Sequence, residues 1–378
     1  MSKKVCFLTS VHRPFDVRIF YREAKCLAER GYSVTIIAPH DEDGLKDGVK
    51  IKAVPVPGSR PERMSVTLWQ IFRSALDTNA SVFHFHDPEL IPVGILLKLC
   101  GKRVVYDVHE DVPKDILDKP WIMPMLRQPI ARILEWIHLL VAARFDAIVA
   151  ATPAIARSFP KKNTLTVQNF PDLNALSDAE ESSYRQRECQ IVYAGGISEF
   201  RGGREMIQAM GLLGESVPAR LQLAGSFDPP ELQERLASEL GWGRVDCLGW
   251  LSHSEVRKLL GKSRLGLVVY HPIANHTMSQ PNKLFEYMSA GLPVVASDFL
   301  LWRSIIQQND CGILVDPLKP AAIAQAIRWL LERPTEAEAM GQRGRDAARR
   351  VYNWENEERK LVELYSQLMN DNSKHALS

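Results

Sequence analysis

The stretch Ser279-Gln-Pro281-Asn282-Lys283-Leu-Phe-Glu286-Tyr-Met-Ser-Ala-Gly291-Leu-Pro293-Val-Val decides the fold. A polar loop enters a helix at Pro281 or Asn282. Gly291 ends that helix, and Pro293 leads into a β-branched run that reads as the next strand. The helix N-terminus offers backbone N–H groups to an anion such as a diphosphate. Asn282 and Glu286 stand four apart and share a helix face. A carboxylate there can accept two hydrogen bonds from ribose hydroxyls, and Lys283 can screen phosphate charge.

Outward from this stretch the same beat fills the chain. Strands are expected at 5–9, 34–38, 51–56, 82–85, 104–108 and 147–150, with helices at 18–30, 65–77, 90–100 and 127–143. A second series follows, with strands at 190–193, 221–223, 265–269, 294–296 and 313–315 and helices at 203–213, 231–240, 253–260, 282–289 and 319–331. Such alternation predicts parallel sheets covered by helices on both faces. The break is Pro171-Asp-Leu-Asn-Ala-Leu-Ser-Asp-Ala-Glu-Glu-Ser-Ser, which is polar, turn-rich and without an apolar period. The expected organisation is a Rossmann-like domain over 1–172, a linker over 173–188, a second over 189–353, and a C-terminal helix over 354–378 that crosses back to the first. The fold class is thus α/β, two doubly wound domains facing a cleft, with ligands beyond the carboxyl ends of the strands.

Composition agrees. The 378 residues are 46% hydrophobic and 24% charged, which suits ordinary globular cores. No apolar run reaches the length of a membrane span, and the run after Met-Ser-Lys-Lys is too short for a signal-peptide core. Six dispersed cysteines, with no Cys-x-x-Cys pair, argue against zinc ribbons and point to the reducing cytoplasm. The net charge of +2 divides into 24 basic and 19 acidic residues before 173, and 23 and 26 after it. That is too mild for nucleic-acid binding, though it suits an N-terminal half facing an anionic surface or substrate.

Polar clusters fall at strand ends. The loop after the first strand gathers His12, Arg13, Asp16 and Arg18, and lacks a Gly-x-Gly-x-x-Gly dinucleotide fingerprint. The strand at 82–85 ends in His84-Phe-His86-Asp87-Pro-Glu89. Its two histidines share a face and Asp87 or Glu89 offers a third metal ligand, but no fourth is evident, so no metal site is expected. The strand at 104–108 ends in Asp107-Val-His109, where alternation puts Asp107 and His109 on one side and His109 suits acid/base or positioning work. In the second half, Gly195-Gly196-Ile-Ser-Glu-Phe-Arg201-Gly202-Gly203 is a strand-to-helix turn where a phosphate can approach the backbone and Arg201 adds a bidentate donor.

Together these motifs resemble the retaining glycosyltransferases of the GT-B fold, family 4. Glu286-Tyr-Met-Ser-Ala-Gly291-Leu-Pro293-Val-Val follows the second half of that family's Glu-x7-Glu pattern. Gly31-Tyr-Ser-Val, Val105-Tyr-Asp-Val-His109, Gly312-Ile-Leu-Val-Asp316-Pro and Tyr352-Asn-Trp354 match further family stretches in order. The resemblance implies transfer of a sugar from a nucleotide diphosphate sugar, UDP- or GDP-linked, to a hydroxyl with retained configuration. It implies no cofactor and no metal for the diphosphate. It puts chemistry on His109, Arg201 and Glu286. Donor contacts fall on Gly195, Gly196, Arg201, Gly225, Leu251, Ser279, Gln280, Asn282, Lys283, Leu284 and Glu286. Acceptor contacts fall on His12, Asp16, Arg18, His86, Asp87 and His109. The acceptor would be a glycan, a lipid-linked sugar or a small molecule, as in bacterial polysaccharide, glycolipid or other glycoconjugate synthesis.

Three positions depart from the family. Met278 stands where the first glutamate belongs, with Ser279 or Gln280 as substitutes. The family's phosphate-binding Arg and Lys fall on Gly196 and Arg201, and Lys283 is placed to supply the missing charge. The N-terminal Gly-Gly loop is replaced by Asp16-Val-Arg18. An epimerase or phosphorylase of the same build, or an inactive nucleotide-sugar-binding subunit, are the alternatives. The segment from Trp121 to Arg144, rich in Ile, Leu, Met and Trp, reads either as a core helix with a basic face or as a helix lying on the inner membrane surface.

Overall fold

Strand β1 (Lys4–Leu8) shows how the first sheet is made. Val5 and Phe7 enter one apolar core and Cys6 and Leu8 the other, so the strand is buried on both faces. Seven more strands join it: β2 (Ser33–Pro39), β3 (Gly44–Lys46), β4 (Val49–Val54), β5 (Val82–Phe85), β6 (Arg103–Val108), β7 (Ala147–Ala150) and β8 (Thr164–Thr166). They lie in the order β3-β4-β2-β1-β5-β6-β7-β8, parallel except for β3 against β4. The order reverses between β1 and β5, so the loops after those two strands open at the topological switch point. The computed structural model describes residues 3–109, 123–173 and 183–370. The chain divides into two units, the first taking residues up to Asn169 and again from Trp354, the second Phe170–Asn353.

Helix α1 (residues 17–29) follows β1. Its first part, Val17–Ala24, is wound as a π-helix. Asp16 caps it, its Oδ1 accepting from the amides of Arg18 at 2.8 Å and Ile19 at 3.1 Å. Helix α2 (Pro124–Ala142) buries only Ala131, His138 and Ala142, while Met125, Leu126, Ile133, Trp136, Ile137, Leu139 and Leu140 face outward. The core-helix reading of this segment is corrected by that pattern. Trp121 lies outside the described residues.

The second unit has six parallel strands: β9 (Gln190–Ala194), β10 (Arg220–Ala224), β11 (Val245–Gly249), β12 (Leu265–Val268), β13 (Val294–Ser297) and β14 (Gly312–Val315). Their order is β11-β10-β9-β12-β13-β14, reversing between β9 and β12. Helix α3 (Gly203–Gly211) follows β9, and α4 (Asn282–Ser289) precedes β13. Helix α5 (Pro334–Arg350) packs through Ala337, Gly341, Gly344, Ala347 and Ala348. A Cβ on Gly341 would stand 2.1 Å from the Gly291 carbonyl oxygen, so glycine there permits the close approach. Of the expected linker, 174–182 lies outside the described residues. Tyr184 belongs to the second unit's core and donates its hydroxyl to the Arg264 carbonyl at 2.8 Å, so packed chain begins before 189.

Helix α6 (Trp354–Asn370) belongs to the first unit. Trp354, Leu361, Tyr365 and Leu368 join Val5, Phe7, Ile19 and Phe20 in one core, and the Tyr365 hydroxyl meets His84 Nδ1 at 2.7 Å.

Candidate functional site

In the second unit the polar groups gather at the switch point. Gly195 follows β9 with φ of +126°, and its N–H donates to the Ala224 carbonyl at 2.7 Å. Gly225 follows β10 with φ of +151°, and a Cβ there would stand 2.1 Å from the Gly195 oxygen, so only glycine lets the two strand ends meet. The first turn of α4 carries Lys283 inward. Its ammonium lies 3.0 Å from where a Cβ on Gly195 would be and 3.6 Å from the Tyr193 ring centroid, with Tyr270 at 5.2 Å. The side chain is buried and Nζ has no hydrogen-bond partner. Burial, then the neighbouring Arg201, push its pKa well below the usual lysine range, against the pull of Glu286. Gln280 Oε1 is a second buried polar atom without a partner.

Arg201 is exposed, donates from Nη1 to the Gly196 carbonyl at 3.3 Å, and stacks over Tyr270 at 5.9 Å. Its Nη1 lies 2.8 Å from where a Cβ on Gly196 would stand, so it fills the space a side chain at 196 would need. Asn282 and Glu286 are half-buried on one face of α4. Trp302, fully buried, donates its indole N–H to the Ser279 carbonyl at 2.7 Å and so fixes the loop that enters α4. Leu251 leans on the core at the end of β11. Leu284 takes a structural place instead of a ligand place, because its side chain is in the core and its amide donates to the Pro281 carbonyl at 3.0 Å. Met278 is exposed at the end of the short helix Ala274–Met278.

In the first unit a buried ionic cluster lies under the loops after β1, β5 and β6. Arg18 is its centre. Nε meets Asp107 Oδ2 at 3.1 Å and Glu23 Oε1 at 2.9 Å; Nη1 donates to the Val167 carbonyl and Asn169. Burial alone would raise the Asp107 carboxyl, but Arg18 first, then His109, hold it well below the usual range. Glu23 is raised well above the carboxylate range by burial and by Asp107. Arg18 is therefore a support of this cluster, not the acceptor contact expected of it. Asp87 is buried too. Its Oδ2 accepts from Thr9 Oγ1 and from the Ser10 amide, each at 2.7 Å, and Oδ1 lies 3.4 Å from His12 Nε2. Asp87 thus shapes the loop after β1, and Asp16 caps α1. His12 and His109 reach the surface of this region, with ring centroids 6.1 Å apart.

The expectation that the His-x-His pair lacks further metal ligands is corrected. Among the described residues, Glu23, His84, His86 and Asp107 place ligand atoms within 4.8 Å of one another. The third and fourth ligands are not Asp87 and Glu89. The Arg18 guanidinium lies against both carboxylates and supplies positive charge there, so the group is read as an ion-paired cluster. Glu23 escaped the sequence reading because it stands five residues from Arg18. Such a pair diverges on an α-helix, and the π-helical winding turns it onto one face. The ring roles of Tyr193, Tyr270 and Trp302 also escaped it, since buried aromatic residues at strand ends and helix starts look like core.

Two doubly wound units, each with its polar groups at a switch point, define the GT-B architecture. The family described as "Glycosyl transferase 4-like domain" matches residues 17–164, and "Glycosyl transferases group 1" matches residues 188–333, together well over half of the chain. The chain belongs to these two-domain glycosyltransferases. It is 30% identical over 186 residues to a D-inositol 3-phosphate glycosyltransferase of Corynebacterium urealyticum, a match spanning 47% of this chain and 43% of that one. It is 24% identical over 369 residues to a phosphatidyl-myo-inositol mannosyltransferase of Mycobacterium leprae, spanning 93% and 92%. Among solved structures, Anabaena HepE in complex with UDP superposes with a TM-score of 0.73 at 15% identity, covering 96% of this chain and 100% of that one. No helix of the described residues is long and apolar enough to cross a membrane.

Proposed function

We propose that this glycosyltransferase moves a sugar from a UDP- or GDP-linked donor to an acceptor hydroxyl with retention, and that it needs no metal to hold the diphosphate. The observation that carries the reading is the buried Lys283 ammonium in the first turn of α4, which has no hydrogen-bond partner and lies against the Tyr193 ring. A desolvated cation without hydrogen bonds is costly, and a diphosphate at the helix N-terminus offsets that cost. Arg201 supplies the second cation. Leaving-group charge is then neutralised by fixed protein groups, the role a metal fills in other enzymes. Glu286 takes the ribose hydroxyls, and Gln280 or Ser279 stands in for the donor-sugar carboxylate that Met278 cannot provide. His109 meets the acceptor. The departing phosphate assists attack from the same face.

The test is incubation with a mixed nucleotide-sugar pool and glycan, lipid-linked and small acceptors, with and without EDTA. A glycosylated product with the donor's anomeric configuration, formed equally in EDTA, is expected. Free sugar nucleotide isomers without acceptor would make it an epimerase. Sugar phosphate as the donor would make it a phosphorylase, and binding without turnover an inactive subunit.

The outward face of α2 supports a membrane-borne acceptor. Leu126, Ile133, Ile137 and Leu140 recur at helical spacing beside exposed Trp136, with Arg132 and Arg144 exposed for anionic headgroups.

A further inference from the structure

The two histidines His86 and His109 touch through their ring nitrogens, and the proposed reaction uses only one of them. His86 Nδ1 lies 2.9 Å from His109 Nε2. One must donate and the other accept. Burial pushes His86 well below the usual histidine range and His109 down to about 4, so near pH 7 each ring is neutral and has a single proton to place. Asp107 decides where. Its Oδ2 accepts from Arg18 Nε at 3.1 Å and Nη2 at 3.0 Å, and also faces His84 Nε2 at 3.5 Å. That oxygen is crowded, and His86 Nδ1 stands off it at 3.6 Å. Oδ1 has one Arg18 contact, at 3.2 Å, and faces His109 Nε2 at 3.5 Å with a lone pair to spare.

We infer that His86 is a positioning residue: its bare Nδ1 accepts the Nε2–H of His109 and so fixes His109 in the tautomer whose Nδ1 lone pair is free for an acceptor hydroxyl. Two acceptors, Asp107 Oδ1 and His86 Nδ1, then converge on one N–H. The remaining proton of His86 sits on Nε2, which faces Glu23 Oε2 at 3.9 Å, beyond hydrogen-bond reach, and makes no hydrogen bond to a described residue. His109 Nδ1 makes no hydrogen bond to a described residue, and about a fifth of the side chain is exposed (21%). Among the described residues, the other charged or titratable groups acting on His109 are Arg18, His12 and Asp16. Ring contacts hold the accepting ring in place: His86 packs against both His84 at 4.7 Å and Phe7 at 5.7 Å, each near parallel to it.

This inference rests on the reading of His109 as the acceptor-side histidine, and its test is chosen to be separable from that reading. The full chain is labelled with 15N-histidine, the His109 signals are assigned by comparison with His109→Gln, and the tautomer is read from long-range 1H–15N spectra without substrate. The wild type should show His109 protonated on Nε2 and bare on Nδ1. His86→Leu, which removes the acceptor, should give a mixture of both tautomers and a turnover number lower by about tenfold, with donor KM unchanged. His86→Asn keeps an oxygen near the Nδ1 position and should restore the single tautomer and most of the turnover. A wild-type His109 protonated on Nδ1 overturns the proposal, as does the same pure tautomer in His86→Leu. Should the leucine variant not fold, the wild-type spectrum and the Asn variant decide alone. If the protein proves not to transfer sugars, the tautomer result still stands or falls by itself.

Discussion

At the scale of single residues, Lys283 has the most to do. Its pKa is pushed down by burial and by Arg201, so part of the population is neutral at alkaline pH, and a diphosphate bound there would return the charge. The sign follows: nucleoside diphosphate binding should take up protons, and affinity should weaken as pH rises above the lowered lysine value. Calorimetry in buffers of different ionisation enthalpy measures this, and Lys283→Met should abolish the uptake while weakening UDP or GDP. Glu286→Ala should weaken nucleoside and nucleoside diphosphate alike by roughly 1.5–3 kcal/mol, the range for hydrogen bonds to a charged group. With Arg201 proposed as a phosphate ligand, Arg201→Ala should spare the bare nucleoside and weaken the diphosphate. Equal loss for both ligands in the Arg201 variant would take it out of the phosphate site.

At the scale of elements, α6 and β5 are joined by one hydrogen bond inside a core, from Tyr365 to His84. Tyr365→Phe leaves His84 Nδ1 buried and unpaired, so thermal or urea unfolding should show a loss of about 1–3 kcal/mol. An unchanged midpoint would mean that another group takes over the bond. The elements also show what a sequence displays and what it hides. Strand alternation placed Asp107 and His109 on one side of β6, and the glycines after β9 marked the tight strand-to-helix turn. Strands β3, β8 and β11 were not among those expected, because they lie at sheet edges and carry no continuous apolar run. Helix α5 was hidden too, since its packed face is alanine and glycine and gives little apolar periodicity. Arg18 was legible as a polar residue at a strand end. Its burial was not, because that depends on Glu23 and Asp107, which only the fold brings together.

At the scale of the whole molecule, the apolar face of α2 gives a prediction about location. The protein should sediment with vesicles containing anionic lipid, and less in high salt. Ile133→Ser together with Trp136→Ser should reduce sedimentation and leave donor binding untouched; undiminished sedimentation would remove α2 as the lipid-facing element. The placement of α6 has a different consequence, for how the molecule is made. Residues 170–353 are synthesised between the two parts of the first unit, an interval of 184 residues. At the usual pace of translation that is roughly 10–40 s. Throughout that time the first sheet has one face without Trp354, Leu361 and Tyr365, and His84 lacks the hydroxyl that satisfies it. The first unit is thus begun before the second and completed after it, so its sheet keeps an uncovered apolar face until residues 354–370 emerge.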